Sequence, residues 1–199
     1  MKAGGIVLCG GKSTRMGTSK ALLPFGPETM LQRVVRLLSG VVSPIVVVAA
    51  ADQTLPDLPA DVIVTRDERE ARGPLEGLRA GLAALPGQVE KAYVTSCDVP
   101  LLVPAFVAQM LELSAGYDVA VMEIDGFAHP LSAIYGHNVL PHVETLLSEN
   151  RLRPLFLFDL VNTRRVSPAE MTSDPDLLTL RNLNTPQDYE EALRAANLG

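Results

Sequence analysis

The segment Leu8-Cys9-Gly10-Gly11-Lys12-Ser13-Thr14-Arg15-Met16-Gly17-Thr18-Ser19-Lys20 gathers glycines, hydroxyl side chains and cations behind an apolar stretch. Glycines let backbone N–H groups approach an oxyanion closely, and cations neutralise a polyphosphate. The chemistry such a loop suits is phosphate binding. It is not a Walker A loop, which needs a glycine five positions before Gly11, where Ile6 stands. The dinucleotide fingerprint G-x-G-x-x-G is absent too. The plainer alternative is a glycine-rich surface turn with solvated lysines; the coincidence of apolar strand, glycines and cations favours phosphate.

Three further segments carry chemical potential. Ser96-Cys97-Asp98-Val99-Pro100 follows an apolar run. A carboxylate at the end of a parallel strand is placed to hold a divalent metal or a ligand hydroxyl, although Asp before x-Pro also forms turns. Asp67 and Gly73-Pro74-Leu75-Glu76-Gly77 read equally as ligand contacts or as a loop and helix start. Asp125-Gly126-Phe127-Ala128-His129-Pro130 reads as a hairpin turn or a substrate loop. Arg151, Arg153, Arg164 and Arg165 offer cations to a second anionic substrate, or are simply solvated.

These segments need a scaffold that brings them to one place. Short apolar runs at Gly5–Cys9, Pro44–Ala51, Asp61–Thr65 and Lys91–Ser96 alternate with helical patterns at Thr29–Leu38, Leu75–Leu85 and Val103–Leu113. That order implies parallel strands with helical crossovers. Tyr117–Glu123 and Leu131–Tyr135 add strands and Val139–Leu147 another helix. Thr185-Pro186-Gln187-Asp188 has the cap, first-turn proline and N3 acid that open a helix to about Ala196. Residues 150–180 mix strand and helix signals and resist assignment. The expected fold is α/β: a Rossmann-like, open, mostly parallel sheet with helices on both faces. If the first and fourth strands are neighbours, the glycine loop and Asp98 face one crevice. Cys9 and Cys97 then lie near each other as reduced thiols.

The chain has 199 residues and a formal net charge of −6, with 47% hydrophobic residues. One domain, residues 1–199, is expected, with a core large enough to need no disulfides or metals. The acidic balance argues against a nucleic-acid or membrane-surface partner. No apolar run reaches the ~20 residues of a membrane helix, and two cysteines suggest neither disulfides nor zinc, so the cytoplasm is expected. The charge is uneven, however. Residues 1–27 carry four cations and no acid.

In these motifs the chain resembles the molybdenum cofactor guanylyltransferase (MobA) family of nucleotidyltransferases. The family's opening L-A-G-G-x-S-x-R-M-G-x-D-K is matched by Leu8, Gly10, Gly11, Ser13, Arg15, Met16, Gly17 and Lys20, allowing one residue of length variation. Its G-P-L-x-G appears at Gly73–Gly77, its C-D-x-P at Cys97–Pro100 and its N-x-N-T-P at Asn182–Pro186, while His129-Pro130 matches a frequent H-P. Cys9 departs from the family's Ala, Ser19 from its Asp, and Ala49-Ala50-Ala51 stands where some members have a nucleotide-contacting Asn.

The resemblance implies a nucleotide-diphospho-sugar-transferase-like fold and transfer of GMP from GTP to molybdopterin with release of pyrophosphate, assisted by Mg²⁺. It implies catalytic roles for Arg15, Lys20 and Asp98. Nucleotide contacts are expected from Leu8, Cys9, Gly10, Gly11, Lys20, Asp67, Gly73, Pro74, Leu75 and Asp98. Asp98 and Asn184 would hold the metal, and His129, Arg151 and Asn182 would meet the second substrate. Other cofactor-biosynthesis or acceptor proteins are expected partners. The rival readings are a CTP-dependent molybdopterin cytidylyltransferase, another small-phosphate nucleotidyltransferase, and a catalytically silent nucleotide-binding module.

Overall fold

The structure is a computed structural model that describes residues 2–10, 19–67 and 72–198. In chain order the first elements are β1 (Ala3–Leu8), a short hairpin of β2 (Pro24–Phe25) and β3 (Glu28–Thr29), α1 (Met30–Ser39), β4 (Ile45–Ala50) and β5 (Ile63–Asp67). They are followed by α2 (Gly73–Ala84), β6 (Lys91–Ser96), α3 (Pro104–Leu113), β7 (Val119–Ile124) and β8 (Phe127–Gly136). The chain closes with α4 (Leu140–Ser148), α5 (Leu155–Phe158), β9 (Thr163–Val166) and α6 (Pro186–Ala195).

Seven strands form one sheet in the order β5-β4-β1-β6-β8-β7-β9. The pairs β5–β4, β4–β1 and β1–β6 are parallel, and β8 runs antiparallel to both β6 and β7. Helices cover both faces. Leu31, Val34 and Leu38 of α1 and Phe106 and Met110 of α3 pack on Val7, Val47 and Tyr93. On the opposite face Leu75, Leu78 and Leu82 of α2 and Val143 and Leu146 of α4 pack on Ile6, Val46 and Val94. Continuous apolar strands such as Ile45-Val46-Val47-Val48 follow from this arrangement, since a strand covered on both faces has no solvent side.

Local signals explain several elements. Thr29 caps α1 and exchanges bonds with Gln32 in a capping box, and Thr185 does the same with Asp188 at the start of α6. The helix α2 lies close on β1 because it turns two glycines to the strand. A Cβ at Gly81 would stand 2.5 Å from Ile6 Cγ2, and one at Gly77 would stand 3.2 Å from the Leu8 side chain.

The first and fourth long strands are neighbours, with Leu8 opposite Ser96, and the Cys97 N–H donates to the Leu8 carbonyl at 3.1 Å. Cys9 and Cys97 follow that pair as free, buried thiols. A hydrogen bond with the Cys97 thiol, reinforced by burial, pushes the Cys9 thiol well above its usual pKa.

Residues 150–180 contain the one-turn α5, the polar strand β9 beside β7, and two short 3-10 turns. The strand at Leu131–Tyr135 is longer than its sequence pattern, beginning at Phe127 and turning through Asp125-Gly126 from β7. Its register slips between Met122↔His129 and Val121↔Ala133, so Pro130, Leu131 and Ser132 bulge out of the pairing. No helix among the described residues is long and apolar enough to cross a membrane.

Candidate active site

Parallel strands deliver their carboxyl ends to one edge of the sheet, and there the chemistry-bearing segments meet. Cys9 and Gly10 leave β1, Asp98 follows β6, and Asp67 ends β5. From β5 to β6 is three strand spacings, about 14 Å at ~4.8 Å each.

At the β1–β6 end, Lys20 Nζ donates to Asp98 Oδ2 at 2.8 Å and to Asn184 Oδ1 at 2.8 Å. These groups come from three distant parts of the chain, and Asp98 and Asn184 are held from behind. The Ser96 hydroxyl donates to the other Asp98 oxygen. The Asp98 carbonyl accepts from Leu183 N–H at 2.9 Å, which straps Asn182-Leu183-Asn184 across the end of β6. Asn184 N–H in turn donates to Asp188 Oδ2 at 2.9 Å, tying the strap to the α6 cap. Arg33 of α1 donates to the Pro100 carbonyl at 2.7 Å and fixes the far side of the Asp98 loop. The Lys20 and Asp98 side chains keep 18% and 15% of their surface, so water reaches the pair.

Gly11 and Arg15 lie outside the described residues, but both ends of their loop are described. Gln53, just after β4, donates to the Cys9 carbonyl at 3.0 Å and to the Ser19 hydroxyl at 3.2 Å, while its own oxygen accepts from Ala50 N–H at 3.1 Å. One side chain thus clips the entry and exit of the glycine loop together. Gln53 did not stand out in the sequence, because its role depends on partners 34 to 44 residues away, and Ser96 stood out only as the first residue of the Asp98 segment.

The other expected site residues divide. Gly10, Gly73 and Pro74 are exposed at this end, and Asp67 is half-buried. Leu8 and Cys9 are buried, and Leu75 has no exposed surface at all. The Leu75 side chain turns onto the sheet, where it packs in the core beneath α2. His129 and Asn182 lie at the same end as Asp98, His129 on the part of β8 that runs on beyond its last pairing with β6 and Asn182 on the strap. Burial lowers the His129 pKa, which keeps the ring neutral at pH 7. Arg151 is engaged within its own segment, 3.4 Å from Glu149 and 4.5 Å above the Phe156 ring. Arg164 and Arg165 are likewise paired, with Glu170 and Glu123.

A second ionic cluster lies on α2. Glu76 is completely buried, with Oε1 2.6 Å from Arg79 Nε and Oε2 3.7 Å from Arg72 Nε. Arg72 also donates to the Leu147 carbonyl, which joins the start of α2 to the end of α4.

The chain is similar to several known proteins. Residues 5–164 match the family model described as MobA-like NTP transferase domain. The probable molybdenum cofactor guanylyltransferase of Carboxydothermus hydrogenoformans is 35% identical, across 96% of this chain and 95% of that one. The crystal structure of molybdopterin-guanine dinucleotide biosynthesis protein A from Archaeoglobus fulgidus superposes with a TM-score of 0.79 at 20% identity, covering 99% of each chain. Rv0371c from Mycobacterium tuberculosis, solved as a complex with manganese, superposes with a TM-score of 0.65 at 17% identity, covering 98% of this chain and 100% of that one. The chain belongs to the MobA-like NTP transferase domain family.

Proposed function

We propose that the chain transfers GMP from GTP to molybdopterin, releasing pyrophosphate, and that the reaction takes place around Lys20, Asp98 and Asn184. The observation that carries the reading is the convergence of these three groups within 2.8 Å contacts beside the glycine loop, in a chain 35% identical to a protein named for this activity. In the reaction a phosphate oxygen of the acceptor attacks the α-phosphorus of GTP. The bond to the β-phosphate breaks, and pyrophosphate leaves with its electron pair. The attacking phosphate is already ionised, so no general base is required.

Positioning and charge neutralisation then supply most of the catalysis. Lys20 and Arg15 are assigned to the triphosphate and its leaving group. A unit charge pair at 4 Å is worth about 4 kcal/mol at an effective dielectric of 20, so two such cations are a large part of what the step needs. Gly10 and Gly11 offer backbone N–H groups, and Gln53 keeps their loop closed at its base. Asp67, Gly73 and Pro74 line the edge toward β5, and a nucleoside extended along about 14 Å of sheet edge reaches them. His129 and Asn182 are assigned to the acceptor. Arg151, tied to its own segment, is the weaker candidate there.

A divalent cation fits the donor set. Asp98 and Asn184 present a carboxylate and an amide oxygen, hard ligands of the kind Mg²⁺ prefers, and among the described residues no cluster of three or more metal-binding side chains competes. When bound, Mg²⁺ polarises the phosphoryl oxygens and neutralises developing charge. The family resemblance and the manganese complex of Rv0371c support a metal here. Two free thiols suit a reducing compartment, and the reaction is assigned to the cytoplasm.

Titration of the protein with GTP and with CTP in Mg²⁺ tests the nucleotide. GTP binds more tightly if the reading is right; tighter CTP binding replaces it with a cytidylyltransferase.

A further inference from the structure

The ammonium of Lys20 is held by Asp98 Oδ2 and Asn184 Oδ1, each at 2.8 Å. Those are the two oxygens assigned above to the divalent cation. A lysine ammonium between two oxygens is itself a small, hard cation in an oxygen site. Mg²⁺ or Mn²⁺ takes the same oxygens at shorter range, and two cations sharing them repel strongly in a partly buried pocket.

We propose that Lys20 and the divalent cation use one seat in turn. In the nucleotide-free protein the Lys20 ammonium occupies the Asp98–Asn184 seat as a built-in counter-ion. A bound triphosphate gives Lys20 a second anion, draws the ammonium off Asp98, and opens the seat to the metal. This inference rests on the reading of Asp98 and Asn184 as metal-holding residues.

Three features of the site suit such an exchange. Lysine carries its point charge on a flexible stem with rotatable donors, so it changes partners without moving the backbone, whereas an arginine fork would clamp the carboxylate. The pair is partly exposed, so neither charge is stranded in a dry interior while the partners change. The Asp98 carboxylate stays in place when Lys20 leaves, because the Ser96 hydroxyl holds Oδ1 and the Leu183 N–H holds the Asp98 carbonyl. The seat persists; only its occupant changes.

The consequence is coupled loading. Metal alone binds weakly, nucleotide strengthens metal binding, and by linkage metal strengthens nucleotide binding by the same factor. A protein that charges its metal site only when the triphosphate is present does not hold an idle metal beside an empty nucleotide site.

Free Mn²⁺, followed by its electron paramagnetic resonance signal, reads the seat directly with no acceptor and no turnover. Lys20→Met, and Lys20→Gln as a second uncharged variant, should each bind Mn²⁺ alone about tenfold more tightly than the wild type, a typical coupling. Adding Asp98→Asn to Lys20→Met should abolish the gain. In the wild type, GTP should tighten Mn²⁺ binding. Folded Lys20 variants that bind Mn²⁺ no better than the wild type would overturn the proposal, as would a wild type whose Mn²⁺ affinity ignores GTP. If GTP-dependent Mn²⁺ binding survives Asp98→Asn unchanged, the assignment of Asp98 to the metal is what fails. If exchange behaves as described but no pyrophosphate is released with molybdopterin present, only the functional reading fails.

Discussion

Of the carboxylates that sit beside cations in this molecule, Asp98 and Glu76 are built for opposite ends. Asp98 faces Lys20 at the end of the sheet with 15% of its side chain exposed, while Glu76 is wholly enclosed between Arg72 and Arg79 on α2. Around Asp98 the cation is a lysine, water has access, and the backing bonds come from Ser96 and the strap at Leu183. Around Glu76 the cations are arginines, the carboxylate has no surface, and Arg72 is bonded on to α4. The first pair can change partners. The second locks the start of α2 to α4 and so sets where Gly73 and Pro74 stand. An ion pair's role is read from its exposure and from what else holds each partner, more than from its distance.

The sharpest way to break this contrast is to remove each carboxylate. Asp98→Ala should lower GMP transfer by about 10²- to 10³-fold, the loss seen when one preorganised charge-stabilising group is removed. Its unfolding free energy should fall by no more than about 1 kcal/mol, as for partly exposed pairs. A variant that keeps its rate would take Asp98 out of the reaction. Glu76→Ala should show the reverse weighting. It strands Arg72 and Arg79, and with both arginines partly exposed the loss should be about 2 to 3 kcal/mol, below the 3–5 of a fully buried pair. Chemical denaturation measures it, and an unchanged midpoint would remove the locking role.

The packing beneath Glu76 gives a test of similar kind and smaller size. Gly81→Ala places a Cβ 2.5 Å from Ile6 Cγ2, and the helix must shift or Ile6 must repack. A loss of about 1–2 kcal/mol is expected from such overpacking. A neutral result would mean α2 has slack against β1.

Much of this contrast was hidden in the sequence, and particular residues show why. The α6 start was legible because Thr185, Pro186 and Asp188 act on one another within a single turn. The β1–β6 neighbourhood was legible because alternating strands and helices leave few topologies, and it brought Cys9 beside Cys97 as expected. The strand β9 was not, since Thr163-Arg164-Arg165-Val166 has no apolar run and becomes a strand only by pairing with β7. Lys20, Asp98 and Asn184 were singled out by type and motif, yet nothing in their spacing foretold that the lysine would sit on both oxygens. Glu76 looked like the variable position of a motif, because its arginine partners gain meaning only once burial removes water.

The smallest effect separates His129 from both carboxylates. Burial depresses its folded pKa below 6.5, so just under that pH the unfolded chain binds more protons than the folded one. Stability should therefore fall as the pH drops below about 6.5 and level off below the depressed folded value. His129→Gln should flatten that slope in urea titrations run at successive pH values. An unaltered slope would assign it elsewhere.

The proposed reaction passes GMP from GTP to molybdopterin at the Asp98 end of the sheet. GTP labelled at the α-phosphate, incubated with molybdopterin and Mg²⁺, follows that group alone. Label should move into a guanine dinucleotide product in step with pyrophosphate release, and Asp98→Ala should slow both by about 10²- to 10³-fold. Label that stays in GTP, or that transfers equally well with the Asp98 variant, would contradict the account.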